Sequence, residues 1–451
     1  MAEVAKGIGF GAIPPRQEQT DGAYREDNRL RPEDRAVHDW YRFVLSFPPH
    51  LVREYLTRFG VSSHGLVLDP FCGTGTTLVE CKKLGIPSVG VDPNPIACFA
   101  SRVKVDWSVN PDLLLDHARA VVKRVEKRLL AEGLGEYEDL PLLAEGRPPH
   151  SLRSLPLDAA KLLLRGCISE LPLHKTLVLL EELEKDAGGL VADYERLALA
   201  KTIVFTASNL HFGPEVGVGP PKLDAPVLSA WLRAVATMAD DLRELRTPLS
   251  QAPSIVHRED ARNLGQLKGC SVDAVITSPP YPNEKDYTRT TRLESVILGF
   301  IENKGQLRLL KERLVRSNTR NVYKNDDDDL LVAHHPEIQR IAEAIEARRT
   351  ELGKTSGWER MYPRVTRLYF GGMARHLSQL RAALRPGANL AYVVGDQASF
   401  LRVMIRTGEI LADLARSLGY EVIGIDLYRT RRATATKELL REEVVVLRWP
   451  G

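Results

Sequence analysis

Residues 66–77 read LVLDPFCGTGTT, and this stretch constrains the fold more than any other. An apolar run ends at an acid, a Gly-x-Gly turn follows, and two threonines open a helical pattern. Gly73 and Gly75 let the backbone approach a ligand with no Cβ in the way. The helix start behind them offers free N–H groups and a positive dipole end to a carboxylate or phosphate. Strand, glycine turn and helix form the opening unit of an open α/β sheet, whose ligands lie beyond the carboxyl ends of the strands. The dinucleotide fingerprint is incomplete, because Leu78 stands where its third glycine belongs. That disfavours a nicotinamide dehydrogenase.

The rest of the chain continues the pattern. Besides Leu66–Leu68, strands are expected at Ser88–Val91, Ser254–His257, Ala274–Thr277, Leu390–Val394, Val422–Leu427 and Val444–Leu447. Helical patterns at Thr77–Leu84, Met373–Leu384 and Ile410–Leu418 lie between strands, the second closed by Arg385-Pro386-Gly387 and the third by Gly419. Alternation of this kind predicts an α/β fold with a mostly parallel sheet and helices on both faces. The last two strands have no helix between them and should pair antiparallel at the sheet edge. Two stretches interrupt the alternation. Residues 109–250 are helix-rich and include the Gly/Pro-rich loop Phe212–Pro221, and residues 301–361 are strongly charged. Asp326–Asp329 has no spacing that would gather ligands on one face, so a solvated loop is expected there rather than a metal site. His334-His335 reads as a loop feature for the same reason.

Two further signals carry chemistry. Ser88–Asp92 reads as a second strand ending in an acid, placed where nucleotide-binding sheets hold both hydroxyls of a ribose. A surface acid at a strand end is the plain alternative, and the glycine turn at matching spacing weighs against it. Asp273–Tyr281, DAVITSPPY, delivers Ser278 into the stiff Pro279-Pro280 turn with Tyr281 directly after it. Proline fixes its own φ and keeps the preceding residue extended, so the Ser278 hydroxyl should be held rigid. A proline-ended strand with a packed tyrosine would explain either feature alone. Hydroxyl, carbonyl and aromatic face together fit a pocket for a planar base bearing an amino group.

The pair LVLDPFCGTGTT and TSPPY resembles the S-adenosylmethionine-dependent DNA methyltransferases that modify exocyclic amino groups of cytosine or adenine. Trp40–Leu56 is similar to the segment preceding the cofactor motif in such enzymes, and GVDPNPIACFASRVKVDW to the segment following it. The resemblance implies a Rossmann-like, seven-stranded methyltransferase sheet with the last strand antiparallel and a long helical insertion. It implies S-adenosyl-L-methionine as cofactor, held by Phe47, Pro48, Asp69, Pro70, Phe71, Cys72, Gly73, Thr74, Gly75, Thr76, Thr77, Asp92, Asp260 and Ala261. An ordinary helix N-cap is the other reading of Asp260. Ser278, Pro279, Pro280 and Tyr281 would be the catalytic set. The family wording of the glycine motif belongs to the class in which the catalytic motif comes first, whereas here it comes second. The chain therefore looks like a circularly permuted member. The catalytic domain would comprise 1–108, 251–300 and 362–451, with 109–250 a helical insertion suited to DNA recognition and 301–361 a charged insertion.

The chemistry accounts for the residues. An aromatic amine is a poor nucleophile because its lone pair is delocalised. If Ser278 Oγ and the Pro279 carbonyl accept its hydrogens, the nitrogen can move towards sp³ geometry and attack the methyl group, with neither a metal nor a covalent intermediate required. Tyr281 would stack on the extracted base. Within the resembling family a serine at the first catalytic position goes more often with cytosine N4, and Asp or Asn with adenine N6. Cytosine N4 in double-stranded DNA is therefore the expected target. Adenine N6, an RNA amine, or a non-catalytic nucleotide-binding regulator are the competing readings. A cognate restriction endonuclease is the natural partner of such a modification enzyme.

Composition adds limits. The formal charge of +3 is a near cancellation of 62 basic and 59 acidic residues, so only clustering could make a nucleic-acid surface. Ile301–Lys324 carries seven basic residues against two acidic, and Tyr428–Lys437 has four basic and none acidic. Arg289, Arg292, Arg429, Arg431 and Arg432 are the candidate nucleic-acid contacts, with these clusters and Phe212–Pro221 lining the cleft. Five cysteines form no C-x-x-C pair, and reduced, packed thiols are expected. No apolar run reaches the roughly 18 residues of a membrane span, and the first residues lack a signal-peptide core. A cytoplasmic, nucleoid-associated protein is the expectation.

Overall fold

The computed structural model describes residues 29–42, 46–135, 152–213, 215–247, 251–432 and 439–451. Nine strands are present among them: β1 (Val67–Asp69), β2 (Ser88–Val91), β3 (Leu210–Phe212), β4 (Val216–Val218), β5 (Ser254–His257), β6 (Val272–Thr277), β7 (Leu384–Gly395), β8 (Glu421–Arg432) and β9 (Leu439–Arg448). Seven of them form one sheet in the order β5-β2-β1-β6-β7-β9-β8. The first five are mutually parallel, and β9 runs antiparallel between β7 and β8. This is a Rossmann-like methyltransferase sheet with its last strand reversed. From β1 the chain steps outward through β2 to β5 and then returns to place β6 on the other side of β1. The switch in direction opens a crevice at the carboxyl ends of β1 and β6, where open α/β sheets bind their ligands.

Strand side chains alternate between the two faces, as a period of two requires. Val67, Ala274, Ile276, Ala391, Val393, Val444 and Val446 pack with Leu51, Val52 and Tyr55 of helix Pro49–Arg58. Leu68, Val275, Leu390, Tyr392, Val445 and Leu447 face the other way, onto helices Pro336–Glu351, Tyr362–Leu380 and Thr407–Ser417. Helices Pro111–Ala131, Glu170–Glu184, Ala192–Thr202 and Val227–Leu245 share a third core. Helix Pro95–Val105 contributes Ile96, Phe99 and Val103 to that core, joining it to the sheet. No described helix is long and apolar enough to cross a membrane.

Several sequence expectations need correction. The helix expected to run to Leu384 stops at Leu380, and Arg385-Pro386-Gly387 lies within β7. Val272 N donates to Ala383 O at 2.8 Å, so the sheet claims these residues before the helix can. The ladder then shifts register between Val272 and Ala274 to absorb the proline turn. The Gly/Pro-rich loop supplies the turn and second strand of the hairpin β3–β4, with the His211 ring packed over Gly217, where a Cβ would meet His211 Nε2 at 2.3 Å.

Asp326–Asp329 is not a solvated loop. Asp326 pairs with buried Arg316 at 2.6 Å, Asp327 with Arg375 at 2.9 Å, and Asp329 with Arg364 at 3.7 Å. Asp328 is 4% exposed and accepts from Arg262 at 2.7 Å and from Arg375. Its backbone lies against helix Tyr362–Leu380 at Gly371, where a Cβ would meet Asp328 O at 1.8 Å. The run reads as solvent-facing because its arginines come from other segments: Arg262, Arg316, and Arg364 and Arg375 of helix Tyr362–Leu380. Removing one member of a buried pair strands the other's charge. Asp328→Ala should therefore cost roughly 3 kcal/mol, at the low end of that class, because Arg262 keeps its bond to Asp260. Urea unfolding measures this, and a loss within 0.5 kcal/mol, the usual range of surface changes, would refute a structural role.

Candidate active site

A cavity of about 650 Å³ lies in the crevice between β1 and β6. Phe71, Cys72, Gly73, Thr74 and Thr76 form one wall, Asp92 and Asn94 the floor beside it, and Ser278 to Tyr281 the opposite wall. Phe47, Asp260 and Ala261 complete the first side. The two motifs, some two hundred residues apart in the chain, thus face one space because their strands are neighbours.

Buried hydrogen bonds hold the walls together. Thr277 Oγ1 donates to Asp69 Oδ1 at 2.6 Å, and Thr77 Oγ1 donates to Ile276 O at 3.0 Å. Asp69 and Thr77 are fully buried behind the cavity wall rather than on it. Asp69 Oδ1 also accepts from Phe71 N at 3.1 Å, turning the chain into the glycine loop. Burial pushes the Asp69 carboxyl up to about 7, against hydrogen bonds from Thr277 and Phe71 that lower it. Asp92 Oδ2 accepts from Gly73 N at 3.0 Å and Oδ1 from Asn94 N at 2.8 Å, so the acid shapes both loops at once. Burial raises its carboxyl to about 6.

Asp260 reaches the cavity, but its carboxylate is engaged by Arg262 Nη2 at 2.7 Å and by Arg262 N at 2.8 Å. No regular helix follows, so the turn is closed by a side chain and not by a helix cap. Buried His376 Nδ1 donates to Ala261 O (2.8 Å), and Nε2 accepts from the Tyr392 hydroxyl (2.7 Å), fixing that loop. Burial lowers the His376 pKa to about 4 and keeps it neutral. On the opposite wall Ser278 Oγ donates to Val393 O at 3.2 Å, and Tyr281 N donates to the Tyr287 hydroxyl at 3.0 Å. Burial pushes the Tyr287 phenol to about 12 and raises Tyr281 further, so both are neutral.

A DNA methylase family model matches residues 15–101, which include the glycine motif and Asp92. The chain is 25% identical to the Type II methyltransferase M.BsoBI of Geobacillus stearothermophilus, over 92% of this chain and 85% of that protein. It is 23% identical to the Type II methyltransferase M.AvaI of a Nostoc species, over 94% and 88%. A shorter match, 37% over 65 residues, links 14% of the chain to the tRNA (guanine(10)-N2)-dimethyltransferase of Methanothermobacter thermautotrophicus, 18% of that protein. These matches support an N6/N4 amino-methyltransferase family.

Against the family's two motifs, the basic residues singled out in the sequence divide sharply. Arg429 and Arg431 line the cavity. Arg292 is turned back onto Thr288 Oγ1 at 2.6 Å and lies 3.5 Å from Asp286, so it is structural in this arrangement. Arg289 is off the cavity wall, with its Nε buried and lacking a hydrogen-bond partner among the described residues. Within 301–324, Lys311 is spent on Asp286 at 2.8 Å, Arg316 on Asp326, and Arg308 on Glu312 at 2.9 Å; of the basic residues there, Arg313 alone lines the cavity. From the hairpin loop, Glu215 reaches it. Arg432 is exposed at the edge of the described chain, and 433–438 lie outside the described residues, as do 43–45 of the Trp40–Leu56 segment.

Tyr287, Asn94 and Glu442 line the site without having been singled out. Tyr287 could have been found as a second aromatic shortly after the proline turn. Glu442 had no local signal, because only strand register brings it to Arg429.

Gly75 has φ +85°, and a Cβ there would lie 3.0 Å from Ser101 Oγ and 3.3 Å from Ser101 Cα. Gly75→Ala should destabilise the fold by about 1–2 kcal/mol through the left-handed backbone alone. A thermal melt unchanged from wild type would show that the loop relaxes freely.

Proposed function

We propose that the protein transfers a methyl group from S-adenosyl-L-methionine to the exocyclic amine of a flipped base in double-stranded DNA, with cytosine N4 the target. The observation that carries this is the cavity faced by both family motifs across the switch point. Two findings favour the cofactor. Gly73 has φ +50° and open space where a Cβ would stand, a cradle that any side chain would fill. Asn94 Oδ1, on a residue lining the cavity, is buried without a hydrogen-bond partner among the described residues, an acceptor suited to an ammonium or hydroxyl donor. The cofactor supplies, when bound, an electrophilic methyl on a sulfonium.

The protein's own groups do the rest. Asp92 keeps one lone pair on each oxygen for the ribose hydroxyls, and Phe47 flanks the same side. Ser278 Oγ gives its hydrogen to Val393 O, which leaves its lone pairs for an amine. With the Pro279 carbonyl taking the second amine hydrogen, the nitrogen lone pair is freed to form the N–C bond as the C–S bond breaks and its electrons go to sulfur. The extra proton on nitrogen then leaves to water. Tyr281 offers its ring to the base.

Serine at position 278, where adenine-modifying relatives more often carry Asp or Asn, favours cytosine. Full-length similarity to two Type II methyltransferases supports DNA over RNA and makes a restriction endonuclease a natural partner. The order of the motifs supports a circularly permuted arrangement, with 109–250 as the DNA-recognition insertion. A cytoplasmic location suits this activity.

Incubation with plasmid DNA and cofactor, followed by mass spectrometry of the nucleosides, should yield N4-methylcytosine. N6-methyladenine alone would overturn the base, and methylated RNA beside untouched DNA the substrate class. Ser278→Ala should retain cofactor binding and lose roughly 10²-fold in turnover, the scale of one removed polar contact to the reacting group; full activity in that variant would end the mechanism.

Cofactor affinity should depend on pH through Asp92. Its carboxyl titrates at about 6, and only the ionised form accepts from two hydroxyls. Affinity is then flat above pH 7 and falls as pH drops through 6, by about tenfold at pH 5 relative to pH 8. Asp92→Ala should weaken binding by about 1–3 kcal/mol and abolish this dependence. Calorimetry showing equal affinity at both pH values in wild type would remove Asp92 from the ligand.

A further inference from the structure

The far wall of the cavity carries an ion pair that the methyl-transfer chemistry does not use. Arg429 Nε donates to Glu442 Oε2 at 2.6 Å, and Nη2 donates to Oε1 at 2.9 Å. The two residues are direct partners across β8 and β9, and the ladder shifts between Leu427 and Arg429, leaving Tyr428 as the extra residue. A bulge of this kind re-aims the side chains that follow it. Both members of the pair lie on the same cavity wall as Ser278 and Tyr281. Gly395 sets their distance from the aromatic ring: a Cβ on it would stand 3.1 Å from Tyr281 Cε2 and 3.3 Å from Glu442 Cγ. Carboxylate and ring are therefore separated by little more than one glycine.

The pairing geometry leaves a specific set of donors. Glu442 occupies the side of the guanidinium formed by Nε–H and one Nη2–H. The end-on fork, one hydrogen each from Nη1 and Nη2, has no hydrogen-bond partner among the described residues. Withdrawing both charges from water is costly, and a hydrophobic pair would hold two edge strands as well. A ligand that needs two parallel donors gives the pair a reason to be there.

We propose that Arg429, oriented by Glu442, reads the edge of the flipped base, its free fork donating to the adjacent ring N3 and O2 of a cytosine. The inference rests on the proposed delivery of a base amine to Ser278. Once Ser278 and Pro279 take the amine hydrogens, cytosine still presents two neighbouring acceptors. Adenine presents one ring nitrogen on each side of its amine, and neither has a second acceptor beside it. A planar fork therefore favours cytosine, whereas a point charge would not. Arg429 then contacts a base and not a phosphate.

The test begins with the site modified by wild-type enzyme, mapped on plasmid DNA, and a matching duplex with an abasic residue in place of the target. Arg429→Lys keeps the charge and loses the fork. It should fall on the order of 10- to 100-fold in kcat/KM, the scale of one bidentate base contact. Arg429→Gln should bind the abasic duplex as wild type does and leave the salt slope of DNA binding unchanged. Glu442→Gln should lower kcat/KM in the same direction with cofactor affinity intact. Melting curves and cofactor calorimetry confirm that each variant is folded. Wild-type turnover in Arg429→Lys overturns the inference. So does weakened abasic binding with a salt slope reduced by about one in Arg429→Gln, the mark of a phosphate contact. If the wild type leaves cytosine unmodified in DNA, the proposed function falls and this inference with it. Cytosine methylation combined with undiminished Arg429→Lys turnover defeats the inference alone.

Discussion

The hydrogen bond from Thr277 Oγ1 to Asp69 Oδ1, 2.6 Å long and wholly shielded from water, is the contact on which the site depends. It joins the last residue of β6 to the last residue of β1 at the point where the strand order reverses. Beyond Asp69 the chain enters the glycine loop, and beyond Thr277 it enters the proline turn. The separation of the two motifs is thus set by one side-chain bond, reinforced by Thr77 reaching across to Ile276 O. Low local dielectric strengthens such a bond and makes its loss expensive. Asp69 accordingly acts from behind the cavity wall, shaping the loop that lines it.

That contact also explains what could be read from the sequence. The β1 and β6 motifs each announce themselves locally, through glycine and proline constraints on the backbone. Their strands were placed within two residues, because buried parallel strands are short apolar runs with breakers at each end. Ser88–Val91 and Ser254–His257 have the bounds the sequence suggested. What failed were features set by distant partners. The register of β6 against β7 ends the preceding helix early and folds Pro386-Gly387 into the ladder, and nothing in MARHLSQLRAAL forecasts it. The hairpin at β3–β4 has strands of only three residues, too short to show as a strand pattern.

Charge was the least legible property. Runs of aspartate and arginine look solvated in one dimension, yet Asp328 joins Arg262 and Arg375, and Arg262 in turn grips Asp260 on the cavity wall. The charged segment therefore supports the site from outside through one continuous chain of ion pairs. Bidentate arginine geometry suits this use, since each guanidinium can serve two carboxylates from different segments. The same arithmetic removes several residues from the pool of free cations: Lys311, Arg316 and Arg292 are engaged within the protein. Sequence clustering overstates a nucleic-acid surface whenever the acids that neutralise it lie elsewhere in the chain.

The segment after the proline turn is pinned on the Asp92 side as well. Asn94 Nδ2, two residues past Asp92, donates to Thr291 Oγ1 at 3.1 Å. Three residues on, buried Glu294 accepts from the Tyr41 hydroxyl, and burial lifts its carboxyl to about 7. Tyr41 belongs to the same N-terminal segment that leads to Phe47. The wall with Ser278 and the wall with Asp92 are consequently tied to each other beyond the Thr277–Asp69 contact, and moving either breaks a buried hydrogen bond. On the proposed reading, this rigidity has a physical consequence for the substrate. A frame tied in this way resists opening towards a duplex and favours a base that arrives already unstacked, with the cost of extraction met by DNA contacts outside the cavity.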